Sequence, residues 1–133
     1  MDLFKPNMDE KQVGAMSMLG LAHIGDAVYE LLTRTRLCGL GVTKVSELHR
    51  MTVATVNAPA QAEAAQRILP KLTEEEAAIY RRGRNTKVNS VPQKADIAQY
   101  HAATGLEALF GWLYLLGRLD RIGELYAAGT GEE

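Results

Sequence analysis

The sequence predicts an all-α fold in a single domain. Its apolar residues recur with a helical period, and no segment keeps the two-residue alternation of a half-buried strand. A hydrophobic fraction of 47% with 23% charged residues is typical of a globular chain that buries its own core. Because single cores usually occupy about 100 to 150 residues, the 133 residues predict one domain over positions 1–133, with the tail frayed from about Gly129.

Capping patterns and helix-breaking residues divide this domain into helices. Thr73 and Glu76 form a capping box, in which each side chain binds the backbone amide of the other, so a helix is expected to start there. Glycine, asparagine, serine and proline mark 83–93 as an exposed loop. The predicted helices cover about 9–37 with a bend near Gly20, 43–69 with a break at Pro59, 73–82, 95–116 and 120–128.

Several classes of protein are disfavoured by composition. One cysteine, Cys38, allows neither an internal disulfide framework nor a zinc cluster built on cysteines, and it is expected in the core or at a helix end. The first residues lack the pattern of a secretory signal, and the longest apolar stretch, 108–117, is much shorter than the ~20 residues that cross a bilayer. We therefore expect a soluble, cytoplasmic protein with no membrane partner.

Charge is distributed unevenly along the chain. The net charge of -1 gives no overall attraction to nucleic acid, so any such contact requires a local basic surface. The segment from Ala77 to Ala95 contains no acidic residue, although it carries five basic ones: Arg81, Arg82, Arg84, Lys87 and Lys94. These side chains are candidates for contacts with phosphates, and a solvated basic loop is the equally weighted alternative.

Two acidic residues stand out as candidates for chemistry. Asp26 shares the polar face of the amphipathic segment 19–32 with His23 and Glu30, where an acid is most often simply solvated. Glu107 is the only charge in the apolar segment 105–116, so its carboxylate needs a metal ion, an arginine or a proton to compensate for burial. Gly111, one turn later, either opens space beside Glu107 or permits close helix packing.

A pair of carboxylates on neighbouring helices can hold a hard divalent cation that keeps several waters, as Mg²⁺ does at phosphoryl-transfer sites. Asp26 and Glu107 are candidates for such a pair, but their separation in sequence does not establish that they meet.

The segments around both acids resemble those of a known enzyme family. Residues 24–30 resemble the signature helix of ribonuclease III, and residues 107–115 resemble the second catalytic helix of that family. The segments 73–76, 81–85 and 91–94 are similar to the short branch called Mini-ribonuclease III, and the resemblance extends from about Leu19 to Leu116.

This resemblance implies a homodimeric endonuclease that hydrolyses double-stranded RNA, with one active site in each subunit. Asp26 and Glu107 fall on the essential acids of the family and would bind Mg²⁺, with Mn²⁺ as an alternative cofactor. Hydrolysis would leave a 5′ phosphate and a 3′ hydroxyl. The substrate implied is the precursor of large-subunit (23S) ribosomal RNA, and a ribosomal protein is a further candidate partner.

The sequence departs from the full-length family pattern at three positions. Leu19, Ala22 and Thr104 stand where that family usually carries acids, so only two of the usual acids remain. No double-stranded RNA-binding domain is expected after Glu133. The catalytic domain itself would then have to bind the RNA. A catalytically silent module that binds structured RNA or the ribosome is the alternative function, although retention of Asp26 and Glu107 favours an enzyme.

Overall fold

The computed structural model describes residues 1–87, 91 and 96–131, and all regular secondary structure within them is helical. The predicted all-α fold is therefore confirmed. The helices are α1 (Glu10–Gly14), α2 (Met18–Gly39), α3 (Val45–Val56), α4 (Ala58–Ile68), α5 (Glu74–Arg84), α6 (Ile97–Leu115) and α7 (Leu119–Thr130), with a 3₁₀ turn at Leu69–Lys71.

Helix α6 forms the centre of the domain. Most of its residues from Ala103 to Leu113 are buried, which explains why this segment is apolar around most of its circumference. Helices α2, α4 and α5 pack against it, and α7 closes the core beside α4. None of the helices in the described ranges is both long enough and apolar enough to cross a membrane.

Two glycines allow α2 and α6 to cross in backbone contact. A Cβ atom on Gly25 would lie 1.6 Å from the carbonyl oxygen of Glu107, and one on Gly111 would lie 2.0 Å from the carbonyl oxygen of Leu21. No larger residue fits at either position without separating the helices. Gly111 thus serves close helix packing, and the expectation that it opens space beside the carboxylate is wrong, because Leu21 and Ile24 occupy that space.

The predicted capping box at Thr73 and Glu76 is confirmed, and it is joined to α7 by an ion pair. The backbone amide of Glu76 donates to the Thr73 hydroxyl at 3.1 Å, and that of Thr73 donates to the Glu76 carboxylate at 2.9 Å. Arg121 donates to both carboxylate oxygens of Glu76, at 2.8 and 2.9 Å, and to the carbonyl of Lys71. The Arg121 guanidinium holds the pKa of the buried Glu76 below its usual value.

Three predicted boundaries shift because of packing and capping. The break in the first helical stretch lies before Ser17, whose hydroxyl caps α2, and not at Gly20. Gly83 was expected in a loop, but it is buried in α5, where an added Cβ would lie 2.8 Å from Ala108. The last helix continues to Thr130, past the predicted onset of fraying at Gly129, which is buried against α4.

Candidate active site

The crossing of α2 and α6 brings the carboxyl groups of Asp26 and Glu107 together. Asp26 follows Gly25 directly and is exposed, whereas Glu107 is partly buried where its own backbone touches Gly25. The two carboxyl groups lie close enough for Asp26 to raise the pKa of Glu107. The sequence predicted both residues as candidates, and the structure places their carboxyl groups next to each other.

Glu107 holds its proton unusually tightly. Burial, and after it the charge and hydrogen bonding of the nearby Asp26 carboxylate, together raise the pKa of Glu107 to about 8. When no cation is bound, a proton therefore compensates for the burial of the Glu107 carboxylate near neutral pH.

The donor set of this pair fits a hard divalent cation. Both side chains offer oxygen, and Mg²⁺ is commonly held by one or two carboxylates while it retains several waters. Within the described residues there is no group of three or more histidine, cysteine, aspartate or glutamate side chains that could hold a metal. A cation at this site would thus depend on Asp26 and Glu107 and on ordered water.

The positions that lack the usual acids do not provide substitutes. Ala22 is buried, and Leu19 is 39% exposed on the first turn of α2. The hydroxyl of Thr104 donates to the carbonyl oxygen of Tyr100 at 3.1 Å within α6, and Thr104 is buried. This hydroxyl already has a partner in its own helix.

Gln61 on α4 is a part of the site that sequence reasoning missed. Its side chain is 2% exposed and faces the Glu107 carboxyl, where it acts to lower the pKa of Glu107 against the effect of burial. Its amide nitrogen, Nε2, makes no hydrogen bond of normal geometry within the described residues. The sequence feature that could have indicated Gln61 is its place on the same helical face as Ala64, Ala65 and Ile68, because a side-chain amide is unusual on an apolar face.

Four of the five basic candidates lie at the C-terminal end of α5 or just after it. Arg81, Arg82 and Lys87 are exposed, and the Arg84 guanidinium lies 5.7 Å from the centre of the Tyr80 ring. Lys94 lies outside the described residues. Arg81 and Arg82 line a shallow groove of about 630 Å³ together with Asn85, Thr86 and Met18 at the start of α2.

These cations differ from the other arginines of the surface. Arg34, Arg50, Arg118 and Arg121 each form an ion pair with a glutamate. Among the residues that the structure describes, no carboxylate forms an ion pair with Arg81, Arg82, Arg84 or Lys87.

An apolar groove of about 490 Å³ runs along α2 from Ile24 to Leu32. Leu31 in its wall is 55% exposed, and Leu3 and Phe4 of the N-terminal segment are 73% and 80% exposed beside it. The hydroxyl of Tyr114 donates to the Leu3 carbonyl oxygen, which ties this segment to α6. An exposed apolar surface of this kind is typical of an interface.

Comparison with known proteins identifies the family of this chain. The model of the Ribonuclease III domain matches residues 19–118, a range that includes both acids and the helices that carry them. The chain therefore belongs to the ribonuclease III family. It is an endoribonuclease, a hydrolase that cleaves double-stranded RNA.

Within this family the chain belongs to the Mini-ribonuclease 3 branch. It is 46% identical to the Mini-ribonuclease 3 of Symbiobacterium thermophilum over 84% of this chain and 86% of the relative. The enzyme of Enterococcus faecalis is 44% identical over 88% of each chain. A Fusobacterium nucleatum protein of known crystal structure has the same fold, with a TM-score of 0.77 and 33% identity over 84% of this chain and 89% of that one.

Proposed function

We propose that Asp26 and Glu107 form the catalytic centre of a divalent-metal-dependent endoribonuclease, with Mg²⁺ as the cofactor and Mn²⁺ as an alternative. The observation that carries this proposal is the contact between the two carboxyl groups at the crossing of α2 and α6. A cation between them would replace the proton of Glu107 and neutralise the repulsion between two carboxylates. The alternative of a silent RNA-binding module gives no role to this costly arrangement.

The side chains of the site act by binding and orienting. Asp26, which is exposed, is open to the phosphate backbone, while Glu107 anchors the site from the protein interior. Mg²⁺ bound there would supply activation of water and compensation of the charge on the phosphodiester. Asp26 and Glu107 would hold the cation as ionised carboxylates, so Glu107 would give up its proton to do so. Hydrolysis would then leave a 5′ phosphate and a 3′ hydroxyl.

We propose that the C-terminal end of α5 binds the RNA. Arg81, Arg82, Arg84 and Lys87 have no carboxylate in ion-pair contact within the described part of the chain, so their charges are free to neutralise phosphates. Gly83 holds their helix against Gly105 and Ala108 of α6, on either side of Glu107 in the sequence. Such contacts position a duplex with little regard to sequence, and A-form RNA is recognised mainly by shape. Lys94 is retained as a fifth candidate.

The active form is proposed to be a homodimer that pairs through the apolar groove along α2. A second copy would cover Leu31, Phe4 and Ile24, which are exposed or half-buried in the single chain. Leu21 was a further candidate for this interface, but it is 1% exposed and belongs to the core of the subunit. Because Asp26 lies on α2, pairing through this helix would place both catalytic centres near the shared interface.

The proposed substrate is the precursor of large-subunit ribosomal RNA in the cytoplasm, with a ribosomal protein as a candidate helper. Resemblance to the Mini-ribonuclease III branch supports this substrate, and the single cysteine, which is exposed, suits a reducing compartment. The basic surface by itself supports a duplex and does not specify one.

One experiment tests the metal-dependent function directly. The chain is incubated with a long RNA duplex and with precursor ribosomal RNA, each with Mg²⁺, with Mn²⁺ or with a chelator, and the products are resolved on a denaturing gel. We expect defined fragments with either metal and intact RNA with the chelator. Cleavage in the chelator would overturn the metal dependence, and binding without cleavage in both metals would favour the silent module.

A further inference from the structure

Gln61 has an arrangement that helix packing alone does not explain. Its side chain is 2% exposed on α4, and its Nε2 is buried without a hydrogen-bond partner within the described residues. An unsatisfied buried donor costs about 1 to 3 kcal/mol, and an apolar side chain of similar shape would avoid that cost. The neighbours on the same helical face, Ala64, Ala65 and Ile68, are apolar core residues. The Gln61 amide is therefore placed for a hydrogen-bond acceptor that becomes available in another state of the protein, such as the metal-bound state.

The acceptor that Gln61 faces is the carboxyl group of Glu107. Helix α4 packs directly against α6, which places the Gln61 amide beside Glu107 on the side away from solvent. Asp26 approaches the same carboxyl group from α2. Glu107 is thus enclosed between an exposed acid and a buried amide donor.

We propose that Gln61 is a positioning residue of the metal site, whose amide donates to a Glu107 oxygen and holds the ionised carboxylate facing Asp26. Gln61 Nε2 makes no hydrogen bond of normal geometry among the described residues, and it would make one to Glu107 when that carboxylate is a ligand. This inference rests on the proposed metal site and adds to it a residue that does not bind the metal. Hydrogen bonds to ligating carboxylates commonly fix their orientation, and loss of such a partner typically lowers metal affinity by about 10- to 100-fold.

Gln61→Met is the informative substitution, because methionine keeps the unbranched shape and removes the donor. Gln66→Met is the matched control, since Gln66 is exposed on the same helix. Binding of Mn²⁺ is measured by titration calorimetry on the full chain without RNA. We expect Gln61→Met to bind Mn²⁺ roughly 10- to 100-fold more weakly, with an unchanged or higher unfolding temperature. Gln66→Met should bind like the wild type.

Enzyme kinetics give a second readout. At limiting Mn²⁺, Gln61→Met should show a reduced kcat with an unchanged KM for duplex, and raising the Mn²⁺ concentration should restore kcat. A structural role in the core would not produce this rescue. Wild-type Mn²⁺ affinity in Gln61→Met would overturn the positioning role.

Gln61→Leu is a second variant that removes the donor and keeps an apolar side chain of similar volume. It should bind Mn²⁺ as weakly as Gln61→Met, and binding as tight as in the wild type would overturn the donor role. If Gln61→Met does not fold, Gln61→Leu decides the matter alone. A wild-type chain that binds no Mn²⁺ would overturn the metal site itself, an outcome distinct from wild-type-like binding by the variants.

Discussion

The backbone of Gly25 lies directly against the backbone of Glu107. A Cβ atom at position 25 would lie 1.6 Å from the Glu107 carbonyl oxygen and 2.6 Å from its carbonyl carbon. Because Asp26 is the next residue in α2, this contact fixes how closely the two carboxyl groups approach. Gly25 is therefore as much a part of the geometry of this carboxyl pair as Asp26 itself.

Gly25→Ala should separate α2 from α6 and lower the free energy of unfolding by roughly 3 kcal/mol, because the added methyl group meets backbone and not a movable side chain. Gly39→Ala is the control in the same helix, since nothing lies within 4 Å of its Cβ position. We expect the control to be neutral or stabilised by up to about 1 kcal/mol. Urea unfolding measures both variants, and equal stabilities would show that the crossing adapts easily.

Asp26→Asn and Glu107→Gln should each abolish cleavage while folding and duplex binding stay close to those of the wild type. Each substitution removes the charge of one proposed metal ligand and keeps its shape. Glu74→Gln, an exposed acid in the first turn of α5, is the control and should cleave normally. Single-turnover cleavage with saturating Mg²⁺ is the measurement, and activity above about a few per cent of wild type in either variant would remove that acid from catalysis.

The stability of the metal-free protein should fall as pH rises through the pKa of Glu107. This pKa is about 8 in the folded chain and 4.5 in the ordinary carboxyl, so the folded state binds the proton more tightly than the unfolded chain. The resulting stabilisation is complete below the unfolded value and is lost as pH passes through about 8. Urea unfolding in a chelator between about pH 6 and about pH 9 should show this loss in the wild type.

Glu107→Gln provides the control for that experiment, because the amide cannot titrate. The unfolding free energy of the wild type should fall relative to that of this variant as pH rises. Cation binding should show the opposite trend and strengthen up to about pH 8, because the cation competes with the Glu107 proton. A pH-independent difference between the two proteins would show that Glu107 ionises normally.

Arg82→Ala and Arg84→Ala should weaken duplex binding and raise the apparent KM more than they slow single-turnover chemistry at saturating RNA. Each lost phosphate contact should reduce the slope of log affinity against log salt by about 0.9, the value for B-DNA. The loss should be similar for duplexes of different sequence. Arg50→Ala is the control, because this arginine is paired with Glu47 at 2.7 Å. Unchanged affinity and slope would exclude this end of α5 from the RNA surface.

Leu31→Glu should convert the proposed dimer into a folded monomer. Leu31 is 55% exposed in the apolar groove, so a charge there is tolerated in one chain but is unfavourable in a buried contact. Val45→Glu is the control, since Val45 is 81% exposed outside that groove. Sedimentation at micromolar concentration measures both variants. A monomeric wild type, or a dimeric Leu31→Glu variant, would count against pairing through α2.

The sequence by itself determined the helices and the identities of the two acids. The capping box of Thr73 and Glu76 involves residues three apart, and the helical period of the apolar side chains is equally local, so both can be read without a structure. Resemblance to ribonuclease III then selected Asp26 and Glu107. The helix boundaries at Gly83 and Gly129 were misjudged, because each glycine is held in its helix by packing against another helix.

Only the tertiary structure decided which groups meet. The contact of Asp26 with Glu107, the buried donor of Gln61 and the pairing of Glu76 with Arg121 each join residues of different helices. The periodicity of the sequence does not predict such contacts, because they depend on which residues lie at the helix crossings and on how close the helices come there. In this protein Gly25 and Gly111 set that crossing, because neither carries a Cβ atom and the backbones of α2 and α6 can touch. The close crossing brings Asp26 next to Glu107, and this proximity and burial raise the pKa of Glu107.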